Sequence, residues 1–209
     1  MKRIVRSSDI LLGPLSNTIQ GVVNLTWPMI IISSIILVSL RITYIFKNRE
    51  KVSIYKELLM LSFIIYILCL FQVVTFQDEV NWATNNFIPL KEIFRYDIGS
   101  RLFFKNVLGN MVMFMPFGFF VSYYLKSDRA ISTVILTIIA SVSIEIVQML
   151  IGRVFDVDDI LLNLLGGVFG YYIYHVLNMI GDKMPRVLKN EIFLDIISIL
   201  ILIGLLALL

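Results

Sequence analysis

Apolar runs long enough to cross a bilayer follow one another along almost the whole chain. By hydropathy and length they fall at about 25–46, 57–76, 106–125, 129–150, 159–180 and 191–209. The run at 129–150, at ~1.5 Å per residue, makes a helix of ~33 Å, against a hydrocarbon core of ~30 Å. Inside hydrocarbon the backbone must satisfy its own hydrogen bonds, which leaves helices or closed barrels. These runs do not alternate polar and apolar residues as barrel strands do. The expected fold is therefore all-α, a polytopic transmembrane bundle of about six spanning helices in a single integral membrane domain, 1–209. Composition agrees: charged residues are 16% and mean hydropathy is +0.88, where soluble domains carry ~25% charge.

The first run begins too late, and is too long, for a cleavable signal, so the first helix is expected to insert as an uncleaved anchor. Residues 8–23 contain Gly13, Pro14 and Gly21 and read as a surface or re-entrant segment. Net charge is +3. In a membrane chain that excess belongs to topology, and no nucleic-acid partner is expected. The first loop holds Arg41, Lys47, Arg49, Lys51 and Lys56, and the third and fifth loops on the same side bring the total of Lys and Arg to ten. The opposite side holds eight, four of them in a long 77–105 loop that also carries four acids. Charge density places the first, third and fifth loops in the cytoplasm, and 77–105 and 151–158 outside. Cys69 is the only cysteine and His175 the only histidine. An intrachain disulfide and a cysteine metal cluster are thus excluded, and His175 reads as an interfacial or packing residue among tyrosines. No cofactor and no metal are expected.

Against this background, the segment from Glu145 to Asn163 stands out. It places Glu145, Gln148, Arg153, Asp156, Asp158, Asp159 and Asn163 between two apolar runs. Ionisable groups in or beside hydrocarbon are costly, which marks the segment as a candidate site. Helix arithmetic adds Asn106 and Asn110, four apart on one face of the third span. Glu145 lies ~7–8 Å below its helix end, and Asn110 and Asn163 lie ~6 Å in. These groups therefore share one side and one shallow depth. Asp158 or Asp159 is suited to cap the fifth helix. Three acids in four residues could instead hold a hard cation, but their spacing matches no metal motif. Asn163, Gly166, Gly167 and Gly170 form a small-residue face suited to close helix packing. Pro116 interrupts the third span just beyond Asn110.

The order of these residues carries a resemblance. Asn86-Phe87-Ile88-Pro89-Leu90 precedes Asn106-x-x-Gly109-Asn110-x-x-x-Phe114-x-Pro116-x-Gly118. Glu145-x-x-Gln148, Arg153 and the aspartates follow, and then Asp159-x-x-x-Asn163-x-x-Gly166-x-x-x-Gly170. This pattern, over about 86–172, resembles the VanZ-like family of bacterial membrane proteins. The resemblance implies a multi-pass protein of the plasma membrane, typified by a teicoplanin-resistance protein. Such proteins lower susceptibility to glycopeptide and lipoglycopeptide antibiotics, which bind the cell-wall precursor outside the membrane.

Three functions fit the residues. In the first, an outward polar pocket of Asn106, Asn110, Glu145, Gln148, Arg153, Asp156, Asp159 and Asn163 engages membrane lipid, a lipid-linked cell-wall precursor or the lipoglycopeptide. Arg153 would hold a phosphate or carboxylate bidentately. In the second, Glu145 is the acid/base of an intramembrane enzyme acting on a lipid-linked substrate. In the third, the chain is a transporter or structural subunit. Against that last reading, the sequence shows the polar residues at one side only.

Overall fold

A computed structural model of the chain describes residues 7–49, 52–75, 85–91, 93–126, 128–183 and 190–208, with side chains characterised from residue 28 onward. Six α-helices account for most of it: α1 Ser7–Asn48, α2 Ile54–Thr75, α3 Gly109–Leu125, α4 Ile131–Leu150, α5 Val157–Lys183 and α6 Glu191–Leu208. A short 3-10 turn at Ile93–Arg95 and a π-helical turn at Phe103–Leu108 precede α3. Among the described residues, the one strand-like feature is an isolated parallel bridge between Asn86 and Asp156. Among the described residues, five helical segments are long and apolar enough to cross a membrane: Pro28–Asn48, Ile54–Gln72, Phe103–Leu125, Ile131–Leu150 and Val157–Gly181. The expected sixth apolar helix forms as α6, with Glu191 and Asp195 in its first half. The protein is a helical membrane bundle.

The chain differs from expectation at its start. Residues 8–23 are not a re-entrant loop; they continue α1, which runs through Gly13 and Pro14. A proline costs an apolar helix little where water or neighbouring groups take up the freed carbonyl.

The chain falls into two compact units, Met1–Leu15 with Val74–Ile180, and Ser16–Val73 with Gly181–Leu209. In the first, α3, α4 and α5 pack through small and polar residues. Gly166 and Gly170 of α5 lie against the backbone of α3 at Met111, Met115 and Gly118. A Cβ added at Gly118 would fall on the Gly167 carbonyl. Gly167 itself meets the Thr137 side chain of α4. The glycine face therefore splits into two adjacent rows, Gly166 and Gly170 toward α3, Asn163 and Gly167 toward α4. Such close approach lets dispersion and interhelical hydrogen bonds hold helices that lipid does not drive together.

The buried residues of α4 are all polar: Thr133, Thr137, Ser141, Glu145 and Gln148. Steps of four and three put them on one face. Thr137 donates to the Thr133 carbonyl at 2.7 Å, and Ser122 of α3 donates to the Gly118 carbonyl at 2.7 Å. Between helices, Ser122 and Thr133 hydroxyls meet at 3.0 Å, and Asn163 Nδ2 donates to Ser141 Oγ at 2.9 Å. The polar residues are thus not confined to one membrane side, as the sequence suggested. Hydroxyl-bearing side chains extend them along α4, an i, i+4 repeat that the charged residues overshadowed.

In the second unit, α1 and α2 form a hairpin joined by a bidentate ion pair. Arg41 Nε and Nη2 each donate to a Glu57 carboxylate oxygen at 2.9 Å. The α1 span is only 6% buried within the protein, and that of α2 17%.

Candidate functional site

The segment joining α4 to α5 is built by one glycine and three acids. Gly152 takes φ +86°, a left-handed conformation open to glycine at little cost. Its N–H donates to the Met149 carbonyl at 3.2 Å, and the Arg153 N–H donates to the Gln148 carbonyl at 2.9 Å. This pair of bonds is a Schellman closure of α4. It turns the chain and sets Arg153 beside the buried end of the helix.

The chain then pairs with the segment from the 77–105 loop. Asn86 N–H donates to the Phe155 carbonyl at 2.8 Å, and Val157 N–H donates to the Asn86 carbonyl at 3.1 Å. Asn86 Nδ2 reaches Asp156 Oδ1 at 2.8 Å, and the Phe87 and Phe155 rings stack at 5.3 Å. Asp156 Oδ1 also accepts the Asp158 N–H at 2.9 Å, which makes Asp156 the N-cap of α5. The cap was expected at Asp158 or Asp159. It falls two residues before the nearer of these, because Val157 is already the first helical residue.

Asp158 does something else. It is 1% exposed, and its two carboxylate oxygens accept the N–H groups of Leu90 and Ile93. It therefore clamps Leu90, which holds φ +68°, and Ile93 against the start of α5. Asp159 accepts from Asn110 Nδ2, linking α5 to the first turn of α3. Glu145, also 1% exposed, accepts the Asp156 N–H at 2.9 Å through Oε2. The Arg153 charge acts on both Glu145 and Asp159, and Asp159 also feels Glu145, Asp156 and Asp158. Arg153 is the cation set among these acids.

The candidates from sequence divide accordingly. Asn110, Glu145, Arg153, Asp156 and Asp159 form one connected cluster. Gln148 is buried beside it, and its carbonyl holds the Arg153 backbone. Asn163 lies one turn deeper, bonded to Ser141, with its Oδ1 buried and without a hydrogen-bond partner. Asn106 sits apart and donates to the Tyr96 hydroxyl at 2.9 Å. Asn86, Asp158, Tyr96 and Ser141 are structural members that the candidate set omitted. Asn86 and Asp158 had a signal, since both stand in the motifs quoted above; nothing in spacing reveals Tyr96. Among the described residues, no three His, Cys, Asp or Glu side chains converge as metal ligands would.

Of the side chains near the cluster that carry a hydroxyl, Ser141 accepts from Asn163, and Ser143 donates to the Ile139 carbonyl at 2.7 Å on an exposed face. Cys69 belongs to the other unit. His175 packs on Tyr171 and Tyr174, at 4.3 and 5.3 Å between ring centroids.

The model of the VanZ/LLP1 family matches residues 63–178, more than half of the chain. The chain belongs to the VanZ/LLP1 family. The matched region takes in α3, α4, most of α5 and every residue of the cluster. A curated relative, "Protein VanZ" of Enterococcus faecium, is 28% identical over 104 residues, which is 48% of this chain and 62% of the relative. The match thus spans less than two thirds of that relative's length. No solved structure matches the chain.

Proposed function

We propose that this VanZ/LLP1 protein lowers susceptibility to teicoplanin-type lipoglycopeptide antibiotics from the bacterial plasma membrane, through the Glu145–Arg153 cluster. The supporting observation is the gathering of Glu145, Asp156, Asp159 and Arg153 at the ends of three packed helices. A membrane bundle gains little stability from such a cluster, since desolvating each charge costs several kcal/mol or so. Retained ionisable groups of this kind are better explained by a ligand. In this reading the 77–105 and 151–158 loops face outward, where the antibiotic and its precursor target lie. Arg153 engages a phosphate or carboxylate of a lipid-linked cell-wall precursor or of the antibiotic, and Asn110 and Asp159 fix the wall against which it binds. The unpartnered Asn163 Oδ1 offers an acceptor to a donor group entering from that side.

Teicoplanin inhibition is measured in a strain lacking the gene, and again after restoring the wild-type chain, Arg153→Gln or Glu145→Gln. The wild-type chain raises the inhibitory concentration and Arg153→Gln does not, at equal membrane abundance. An unchanged inhibitory concentration on deletion ends the resistance reading.

A second reading, an intramembrane enzyme on a lipid-linked substrate, draws on the burial of Glu145 as a candidate acid/base. With Ser141 and Ser143 bonded elsewhere, it would need water or a substrate group as nucleophile. Full function in a folded Glu145→Gln protein would exclude it.

A further inference from the structure

The α1–α2 hairpin carries a groove of about 610 Å³, separate from the cluster and wholly within its own unit. That volume lies in the ~300–1,000 Å³ range of small-molecule sites. Its walls are apolar: Ile42 and Phe46 on one side, Leu61 and Ile64 on the other. Its mouth is basic. Arg49 lines it, while Arg41, about two turns further along α1, is held in its pair with Glu57. Lys47 and Lys56 stand exposed in the same hairpin turn. Arg49 is exposed and adopts φ +51° immediately after α1, so the chain turns at that residue rather than extending the helix.

The depth of the groove is as informative as its charge. Along α1 the helical lining runs from Leu37 to Phe46, nine residues or ~14 Å; along α2 it runs from Glu57 to Ile64, seven residues or ~10 Å. Half of a ~30 Å hydrocarbon core is ~15 Å. The groove therefore spans at most about one leaflet. A partner helix packed against the hairpin would be expected to follow it across the full span. An acyl chain would not. An apolar slot no deeper than one leaflet under a basic rim has the complementarity of an anionic phospholipid.

We infer that the α1–α2 groove binds one anionic phospholipid, its acyl chain along Ile42, Phe46, Leu61 and Ile64 and its phosphate at Arg49, with Lys47 adding to the field. The site is independent of the resistance reading, and either can fail without the other.

The full-length protein is purified in detergent and titrated with phosphatidylglycerol or with phosphatidylcholine of the same chain length, and bound lipids are counted by native mass spectrometry. Phosphatidylglycerol binds in preference, at one copy per chain. Arg49→Glu reverses one charge and weakens its binding about tenfold. Lys105→Glu, an equal charge reversal in the other unit, leaves it unchanged. Ile42→Trp fills the slot with every charge intact and also weakens binding, while circular dichroism reports unchanged helicity for all variants. Equal retention of both lipids, or an Arg49→Glu protein that binds as the wild type does, overturns the inference. So does a second copy of the chain in the groove, detected as disulfide dimers of Phe46→Cys in vesicles.

Discussion

The two units bury different things. In the unit of α3, α4 and α5, about a third of each span is buried within the protein, and what α4 buries is polar throughout. In the hairpin of α1 and α2, a smaller share is buried, Ser62 and Gln72 included, the exposed surface is aliphatic, and the helices are joined by the ion pair at the turn and by Gln72 Nε2 reaching Met29 Sδ at 3.9 Å. Lipid solvates leucine as well as a neighbouring helix does, so aliphatic surface alone gives membrane helices little reason to associate. Close packing in this protein follows glycine, hydroxyl and amide groups, and it occurs where those groups are.

The largest effect that would break this contrast is one methyl group placed in each unit. Gly118→Ala or Gly170→Ala drives a Cβ into the backbone of the facing helix, where no rotamer can relieve it. A cost of about 3 kcal/mol or more is expected, at the upper end of overpacking. Gly204→Ala in α6 meets nothing within 4 Å. It should be neutral, or stabilising by up to ~1 kcal/mol through helix propensity. Thermal melts in detergent decide the matter; equal shifts at the three sites would mean that the glycine rows do not hold the core together.

Next in size is the clamp on Leu90 and Ile93. Asp158→Ala removes both acceptors for the Leu90 and Ile93 N–H groups and is expected to cost about 2–4 kcal/mol. Trypsin should then cut more readily at Lys91 or Arg95. Glu145→Gln retains an oxygen for the Asp156 N–H, so its melt should move by about 1 kcal/mol or less. If Asp158→Ala melts as the wild type does and resists trypsin, the aspartates are not what closes this face. Gly152→Ala should cost about 1–2 kcal/mol for its left-handed φ, whatever the unit around it.

Much of this was legible in the residues. Long apolar runs dictate helices because hydrocarbon leaves the backbone no other partner, and the runs from 129 and 159 each begin within two residues of α4 and α5. Glu145, Arg153 and Asn110 could be brought to one side by counting turns. What could not be counted were contacts between distant segments. Asn86 and Asp156 meet across 70 residues, and no periodicity encodes that. The function of Asp158 depends on the N–H groups that Leu90 and Ile93 present, so a helix cap was the natural expectation and the wrong one. The hydroxyl row of α4 was present in the sequence as Thr133, Thr137 and Ser141. Threonine and serine count as mild residues on a hydropathy scale, and their shared face emerges only once the neighbours that bury it are known.

The smallest expected effect tests the hairpin. Arg41 and Glu57 make a bidentate pair, the geometry that gives such pairs their best energy. Both side chains are nevertheless partly exposed, 32% and 24%, at a helix end where water and headgroups compete for them. Exposed pairs contribute about 0.2–1 kcal/mol. Arg41→Gln should lower the melt by no more than that, and a Glu57→Gln, Arg41→Gln double variant should cost no more than either single change. A loss above about 3 kcal/mol would show instead that the pair is desolvated as the Glu145 cluster is, and the contrast between a polar-cored unit and a lipid-solvated hairpin would no longer stand.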